Sequence, residues 1–266
     1  MIELLALDVD GTLIDERMTI PERVRQTVLR VQQEGVTVTL ATGRMVESTA
    51  PYARELDIQA PLICYQGGLV QALDADEPLY RATMDRELVR EALVWSEEQG
   101  WHAALYADDT IFLAERCRAE SFYRDLLGPN LRWVDDLVAV LERRDPAKFL
   151  LIAERSEADE IEAVLRERFE GRMEIVRSHE WFVEGNPLGV SKGDALRRLA
   201  DHLGVDRARV MAIGDQGNDV SMLVWAGVGV AMRSGSAAAK DAADWIAPPF
   251  GEDGAAVAME RFILSF

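Results

Sequence analysis

A short apolar segment near the start of the chain ends in two aspartates. Residues 2–7 have the length and composition of a buried strand, and they are followed at residues 8–12 by D-V-D-G-T. Because residues i and i+2 of an extended chain point to the same side, the carboxylates of Asp8 and Asp10 can face one pocket. Two close carboxylates repel each other unless a cation binds or one of them stays protonated. The pair therefore indicates a divalent metal site, an acid–base role, or both.

Two other structures often contain an Asp-x-Asp-Gly sequence. Asp-Gly is typical of a hairpin turn, but residues 13–17 become charged and do not alternate as a second strand would. A calcium-binding loop needs glycine at its sixth position and glutamate at its twelfth, and those positions are Leu13 and Thr19 here. Since neither alternative fits, a functional site is the better interpretation.

The size and composition of the chain limit the class of protein. Its 266 residues are enough for a large core and two domains. No apolar stretch reaches the ~20 residues of a membrane-spanning helix, and the N-terminus lacks a signal-peptide pattern. The net charge of −18 argues against nucleic acid or an anionic membrane as a partner. Cys64 and Cys117 have no metal-binding spacing, which favours a reduced, cytoplasmic setting.

Strands and helices alternate in the first and last thirds of the chain. After the strand at 2–7, the pattern predicts a helix between Thr19 and Gly35, a strand at 36–40, a helix to about Leu56 and a strand at 61–65. Near the C-terminus it predicts helices at 192–203 and 255–262 and strands at 210–213, 228–231 and 245–247. This order is typical of an α/β fold with a three-layer, Rossmann-like parallel sheet, in which ligands bind at the carboxyl ends of the strands.

The middle third has a different pattern. It predicts helices at 85–98 and 156–169, a strand at 148–153, and strand pairs at 102–113 and 173–184. Hairpins mixed with helices suggest an α+β domain inserted into the first one. We therefore expect residues 1–82 and 187–266 to form the parallel-sheet core, and residues 83–186 to form the insertion.

Four groups of polar residues stand where predicted strands end or helices begin. They are Asp8 with Asp10, Thr42, Lys192, and Asp215 with Asn218 and Asp219. Each group alone also has an ordinary explanation, such as a helix cap, a solvated lysine or an acidic turn. Together they would supply hard oxygen ligands for magnesium from Asp8 and Asp215, one fixed positive charge and several hydrogen-bond donors. Such a set is suited to holding a phosphoryl group and stabilising its transfer.

Four motifs also occur in a fixed order along the chain. They are D-V-D-G-T-L at 8–13, A-T-G-R at 41–44, G-V-S-K-G at 189–193 and G-D-Q-G-N-D-V-S-M-L at 214–223. Together they resemble the haloacid dehalogenase superfamily, and within it the Cof-type sugar-phosphatase branch, over nearly the whole chain. The resemblance implies a magnesium-dependent phosphatase that acts on a small phosphorylated metabolite, either a sugar phosphate or a phosphorylated cofactor. It also implies that the insertion is a cap domain that selects the substrate.

The resemblance implies a role for each residue of the expected site. Asp8 would be the nucleophile that forms an aspartyl-phosphate, and Asp10 would protonate the leaving alcohol and then activate water. The phosphoryl group would be bound by Thr42, Gly43, Arg44, Lys192 and Asn218. Magnesium would be bound by the carboxylates of Asp8 and Asp215 and the backbone carbonyl of Asp10, with Asp219 acting from behind these ligands.

Two segments differ from the usual family pattern. Many relatives carry N-G-A after the third strand, where this chain has Q-G-G at 66–68, and residues 184–188 are a looser version of the stretch before the motif lysine. These differences leave the choice of substrate open. Two alternatives on the same core also stay open, a phosphomutase and a phosphate-binding module without catalysis. The sequence does not give the oligomeric state.

Overall fold

The computed structural model describes residues 1–15, 17–114, 120–127, 130–154 and 156–265, so that Cys117 lies outside the described residues. The chain divides into two compact units. We call Met1–Tyr80 with Ser191–Phe266 the core unit, and Arg81–Val190 the inserted unit. Within the described ranges, no helix combines the length and the apolar character needed to cross a membrane.

The strands and helices of the described residues are numbered in chain order. The strands are β1 (Leu4–Leu7), β2 (Thr37–Leu40), β3 (Leu62–Cys64), β4 (Leu69–Gln71), β5 (Tyr80–Arg81), β6 (His102–Ala107), β7 (Thr110–Leu113), β8 (Leu131–Trp133), β9 (Pro146–Ile152), β10 (Met173–His179), β11 (Phe182–Pro187), β12 (Val210–Gly214), β13 (Val228–Met232) and β14 (Trp245–Ala247). The helices are α1 (Glu22–Gln33), α2 (Val46–Glu55), α3 (Arg86–Glu98), α4 (Glu120–Leu127), α5 (Leu137–Leu141), α6 (Ala158–Arg168), α7 (Lys192–Leu203), α8 (Val220–Trp225), α9 (Ala237–Ala242) and α10 (Gly254–Phe262).

A five-stranded parallel sheet, in the order β14-β13-β12-β1-β2, forms the centre of the core unit. All residues of β1 and β12 are buried, which is typical of parallel strands with helices on both faces. One face packs on α7 and α8, whose apolar side chains share a cluster with alternate residues of these two strands. This α/β architecture is the one predicted from the sequence.

The third strand differs from the sequence-based expectation. β3 pairs with the parallel sheet through an isolated parallel bridge between Ala41 and Ile63, and it forms an antiparallel hairpin with β4. The reason is a sharp reversal after β3, where Tyr65, Gln66 and Gly67 have φ angles of 52°, 58° and 101°. These left-handed conformations turn the chain back on itself before the strand can extend.

The inserted unit has a six-stranded sheet in the order β10-β11-β9-β6-β7-β8, with only the β7–β8 pair parallel. One face of the sheet packs on α3, α5 and α6 in an apolar cluster. Side chains on alternate positions of the strands point to the other face. There Lys148 and Glu184 form a buried ion pair of 2.9 Å, and the Lys148 ammonium lies 4.5 Å from the centre of the Tyr106 ring.

Candidate active site

The carboxyl ends of the central strands bring the predicted polar residues together. Asp8 follows β1, Asp215 follows β12, and Asp219 closes the 3₁₀ turn after Asp215, while Lys192 is the first residue of α7. All four side chains are buried. Carboxylate oxygens of Asp8, Asp215 and Asp219 lie within 4.8 Å of one another. We call these three residues the acidic cluster.

Lys192 provides a positive charge at the centre of the acidic cluster. Its Nζ donates to Oδ1 of Asp8 at 2.5 Å and to Oδ1 of Asp219 at 2.6 Å. Burial lowers the pKa of Lys192, but the charges of Asp219 and Asp8 outweigh burial and raise it above the usual range. Lys192 therefore stays protonated, and one positive charge faces three carboxylates.

Burial and mutual repulsion favour protonation of Asp8 and Asp215. Burial, followed by the charge of Asp219, raises the pKa of Asp8 well above its usual value, and Lys192 only partly opposes this. The same two causes raise the pKa of Asp215 to about 7. The cluster thus has more acid than Lys192 can neutralise, as expected where a divalent cation binds.

Both carboxylate oxygens of Asp219 accept hydrogen bonds from the protein. Its Oδ2 accepts from the backbone N–H groups of Asp215 at 2.8 Å and Gln216 at 2.9 Å, while Oδ1 accepts from Lys192. These bonds fix both the loop that carries Asp215 and the ammonium group of Lys192. The role of Asp219 behind the metal ligands, which the family resemblance implies, stays a prediction.

Asp215 has an oxygen that fits a cation. Its Oδ2 accepts from Nε2 of Gln216 at 2.8 Å, whereas Oδ1 is buried and has no hydrogen-bond partner among the described residues. Gly11 packs directly on this carboxylate. It has a φ of 81°, and a Cβ there would come within 2.5 Å of Asp215 Oδ2. A hard oxygen acceptor in an acidic, buried setting is suited to magnesium.

A second loop, at residues 42–44, is held in place by hydrogen bonds. Thr42 follows β2 and is buried, and its hydroxyl accepts from the backbone N–H of Arg44 at 3.1 Å. The turn after β3 is fastened to this loop, because Tyr65 N–H donates to the Arg44 carbonyl at 3.0 Å and Gln66 N–H donates to the Thr42 carbonyl at 3.1 Å. Thr42, Gly43 and Arg44 therefore have a fixed backbone.

Gln66 joins this loop to Asn218, a link that the sequence does not reveal. Its Oε1 accepts from Nδ2 of Asn218 at 2.9 Å, and its side-chain amide packs directly on Gly43. Gln66 is buried in a left-handed conformation, a strained state that is common at functional sites. The only signal in the sequence was the departure from N-G-A at this position.

Asp10 lies outside the acidic cluster. Its side chain is 54% exposed, and its carboxylate accepts two hydrogen bonds from Arg44, at 2.8 Å from Nε and 2.5 Å from Nη2. The family resemblance implies Arg44 as a ligand of the phosphoryl group, and the structure places its guanidinium on Asp10. Arg44 thus pairs directly with Asp10, and the charge of Asp10 still contributes to the raised pKa values of Asp8 and Asp215.

Known proteins resemble the chain over its whole length. A family model of haloacid dehalogenase-like hydrolases matches residues 5–259. The 5-amino-6-(5-phospho-D-ribitylamino)uracil phosphatase YitU of Bacillus subtilis is 26% identical over 270 residues, which cover 97% of each chain.

Solved structures share the fold. A haloacid dehalogenase-like hydrolase from Bacteroides thetaiotaomicron is 30% identical with a TM-score of 0.83, covering 98% of this chain and 99% of its own. The subclass IIB sugar phosphatase BT4131 has the same fold, with a TM-score of 0.83, 24% identity and 98% coverage of both chains. The chain therefore belongs to the haloacid dehalogenase-like hydrolases, the family predicted from its four motifs.

Proposed function

We propose that the protein is a magnesium-dependent phosphatase that hydrolyses monophosphate esters of small metabolites through an aspartyl-phosphate on Asp8. The observation that carries this proposal is the buried contact of Lys192 with Asp8 and Asp219. It combines a carboxylate nucleophile with a fixed positive charge where a phosphoryl group would be attacked. Names of related proteins point to the same chemistry, since YitU and BT4131 are both called phosphatases.

In the first step, a carboxylate oxygen of Asp8 attacks the phosphorus atom while the bond from phosphorus to the ester oxygen breaks. Asp10 gives its proton to the departing alkoxide, so that a neutral alcohol leaves. In the second step, Asp10 takes a proton from water as the water oxygen attacks phosphorus. The bond from phosphorus to Asp8 breaks, which releases inorganic phosphate and restores both carboxyl groups.

The surrounding groups offset the charge of the phosphoryl oxygens. Lys192 brings a positive charge that is already desolvated, and the Thr42 hydroxyl, the Gly43 N–H and the Asn218 amide are the proposed donors. The backbone bonds of the 42–44 loop and the Gln66–Asn218 bond keep these donors in place before substrate binds. Such preorganised donors stabilise charge without rearranging during the reaction.

The carboxylates of Asp8 and Asp215 and the backbone carbonyl of Asp10 would bind magnesium. When bound, the ion would neutralise the excess acid and reduce repulsion between the cluster and the phosphate ester. Asp219 is not a proposed ligand, because hydrogen bonds already occupy both of its oxygens.

The proposed substrate is a small phosphorylated metabolite, and residues of the inserted unit are proposed to select it. YitU is named for a phosphorylated ribitylaminouracil and BT4131 for sugar phosphates, so that the phosphate ester is the shared feature. A net charge of −18 makes nucleic acid an unsuitable partner. A cytoplasmic location stays a prediction from the sequence.

Phosphate release from a panel of phosphorylated metabolites tests the proposal. The wild type should release phosphate with magnesium and stop when the metal is chelated, and Asp8→Asn should lose at least about 10³-fold in turnover. Asp201→Asn is a matched control, since Asp201 lies exposed on α7. Full activity of Asp8→Asn, or of the wild type in excess chelator, would overturn the proposal.

A further inference from the structure

The contact between Asp10 and Arg44 has a geometry that fixes the orientation of a carboxylate. Nε of Arg44 donates to Oδ2 of Asp10 at 2.8 Å, and Nη2 donates to Oδ1 at 2.5 Å. Two parallel bonds from one planar guanidinium hold both oxygens in a single plane, which a single bond cannot do. The contact thus sets a direction for the Asp10 carboxylate as well as balancing its charge.

Arg44 is anchored well enough to act as a fixed support. Its backbone N–H donates to the Thr42 hydroxyl at 3.1 Å, and its carbonyl accepts from Tyr65 N–H at 3.0 Å. Its guanidinium lies 5.9 Å from the centre of the Tyr52 ring, and the side chain is only 18% exposed. The burial of Arg44 is therefore greater than that of the carboxylate it holds.

The loop of Asp10 is also defined by its own backbone. Gly11 N–H donates to the Ile14 carbonyl at 2.8 Å, and Leu13 N–H donates to the Val9 carbonyl at 2.9 Å. This tight turn fixes the Asp10 backbone, but the side chain remains 54% exposed. The turn therefore leaves the direction of the carboxylate to Arg44, which donates two hydrogen bonds to it.

We propose that Arg44 is a positioning residue for Asp10 and not a ligand of the phosphoryl group. This inference rests on the proposed function, in which Asp10 gives a proton to the leaving group and then takes one from water. By holding both oxygens of Asp10, Arg44 keeps the carboxylate on the outer side of the acidic cluster, where the leaving alcohol can depart. The phosphoryl group is left to Lys192, Thr42, Gly43 and Asn218.

A comparison of leaving groups distinguishes the two roles. A proton donor matters for a sugar alkoxide but much less for nitrophenolate, which leaves readily without one. The rate of the first turnover, kcat and KM should be measured with glucose 6-phosphate and 4-nitrophenyl phosphate for the variants Arg44→Met, Arg44→Lys, Asp10→Asn and Arg44→Met/Asp10→Asn. Should glucose 6-phosphate be a poor substrate, the best alkyl phosphate of the metabolite panel replaces it. Arg23→Met is a matched control in the core unit, because Arg23 also forms a two-point pair, with Glu260 at 2.8 and 3.4 Å.

We expect Arg44→Met to lower the first-turnover rate about 10²-fold for the sugar phosphate and less than about threefold for 4-nitrophenyl phosphate, with KM nearly unchanged. The double variant should be no slower than Asp10→Asn, since both changes remove the same function. Arg44→Lys should recover part of the loss, because lysine keeps the positive charge but cannot form the two parallel hydrogen bonds of a guanidinium. Arg23→Met should match the wild type.

Two results would overturn the inference. A higher KM for both substrates, with losses that multiply in the double variant, would make Arg44 a phosphoryl ligand. Equal losses of the first-turnover rate with both substrates would make it a structural residue, whether or not the melting temperature falls. Failure of the proposed function would give another result. In that case Asp8→Asn would keep wild-type activity, and the activity of the Arg44 variants could still be measured.

Discussion

Lys192 forms ion pairs with two carboxylates of the acidic cluster. Its ammonium is buried between Asp8 and Asp219 at 2.5 and 2.6 Å. Lys192→Met should lower turnover by about 10³-fold, because the phosphoryl oxygens lose their nearest fixed positive charge. Steady-state kinetics with magnesium measures this effect, and circular dichroism checks that the variant is folded. Lys240→Met on α9 is the control. Turnover near wild type in a folded Lys192→Met protein would exclude a role for this lysine.

The pKa of Asp215 gives a pH dependence for the stability of the metal-free protein. Burial and the charge of Asp219 raise this pKa to about 7, against about 4 in an unfolded chain. Between these values the folded state binds more protons than the unfolded state. The contribution of protonated Asp215 to the free energy of unfolding is therefore fully present below about pH 4, and it is lost as the pH rises through about 7.

We expect Asp215→Asn to flatten this dependence. With chelator present, the melting temperature of the wild type should fall between pH 5 and pH 8, and that of Asp215→Asn should fall less. Magnesium should stabilise the wild type more at pH 8 than at pH 5, since it competes with protons for the carboxylates. Asp201→Asn, with an exposed side chain, should behave like the wild type. If the melting temperatures of the wild type and Asp215→Asn changed equally with pH, the raised pKa of Asp215 would be contradicted.

The sequence reveals the residue types of the site more readily than their pairing. Asp8 and Asp215 could be placed together because parallel strands end at one edge of a sheet. The Arg44–Asp10 and Gln66–Asn218 contacts join residues 34 and 152 positions apart. Such contacts depend on side-chain rotamers and on a strained turn, and no spacing in a single sequence records them. The family resemblance implied a phosphoryl-binding role for Arg44, and its pairing with Asp10 could not be predicted.

At the scale of elements, long periodic segments were easier to predict than short ones. The pattern located α3, α6 and α7 within a few residues, since each shows a helical stripe of apolar residues. It did not reveal β4, β8 or α5, which have 3 to 5 residues and too few positions for a period. It also predicted Thr19 as the cap of the first helix, whereas α1 starts at Glu22 and Pro21 occupies the capping position.

The turn after β3 and the start of α7 are in direct contact. Gly67 has a φ of 101°, and a Cβ at this position would clash with the Ser191 carbonyl and lie 3.1 Å from Cβ of Ala195. Ser191 caps α7, because its hydroxyl accepts from Asp194 N–H at 3.1 Å. A side chain at position 67 would therefore push on the residue that precedes Lys192.

Gly67→Ala should be more harmful than Gly35→Ala. Both glycines have a left-handed φ, but a Cβ at Gly35 would meet no atom within 4 Å. The backbone strain of roughly 1 kcal/mol is common to the two variants, and the clash should add about 1–3 kcal/mol to the loss of unfolding free energy for Gly67→Ala. Only Gly67→Ala should also lower kcat, through displacement of Lys192. Urea denaturation and kinetics measure both effects, and equal losses in the two variants would refute the predicted clash.

At the scale of the whole molecule, chemistry and substrate choice are proposed to reside in different units. Every residue assigned here to catalysis, phosphate binding or magnesium lies in the core unit. The inserted unit has its own sheet and its own apolar cluster. Because each unit buries a core of its own, exchange of the inserted unit is a practical test of this division.

Replacement of Arg81–Val190 by a short Gly/Ser linker should spare the chemical step and abolish discrimination. Nitrophenyl phosphate offers a good leaving group and little to recognise, so the shortened protein should still hydrolyse it in a manner that depends on magnesium and Asp8. Across a panel of phosphorylated metabolites, the shortened protein should show nearly uniform kcat/KM, whereas the full chain should rank the metabolites strongly. Its Asp8→Asn variant is the control for contaminating phosphatases. A shortened protein that keeps the substrate ranking of the full chain would place selection in the core unit, since the residues of the inserted unit would no longer be present to provide it.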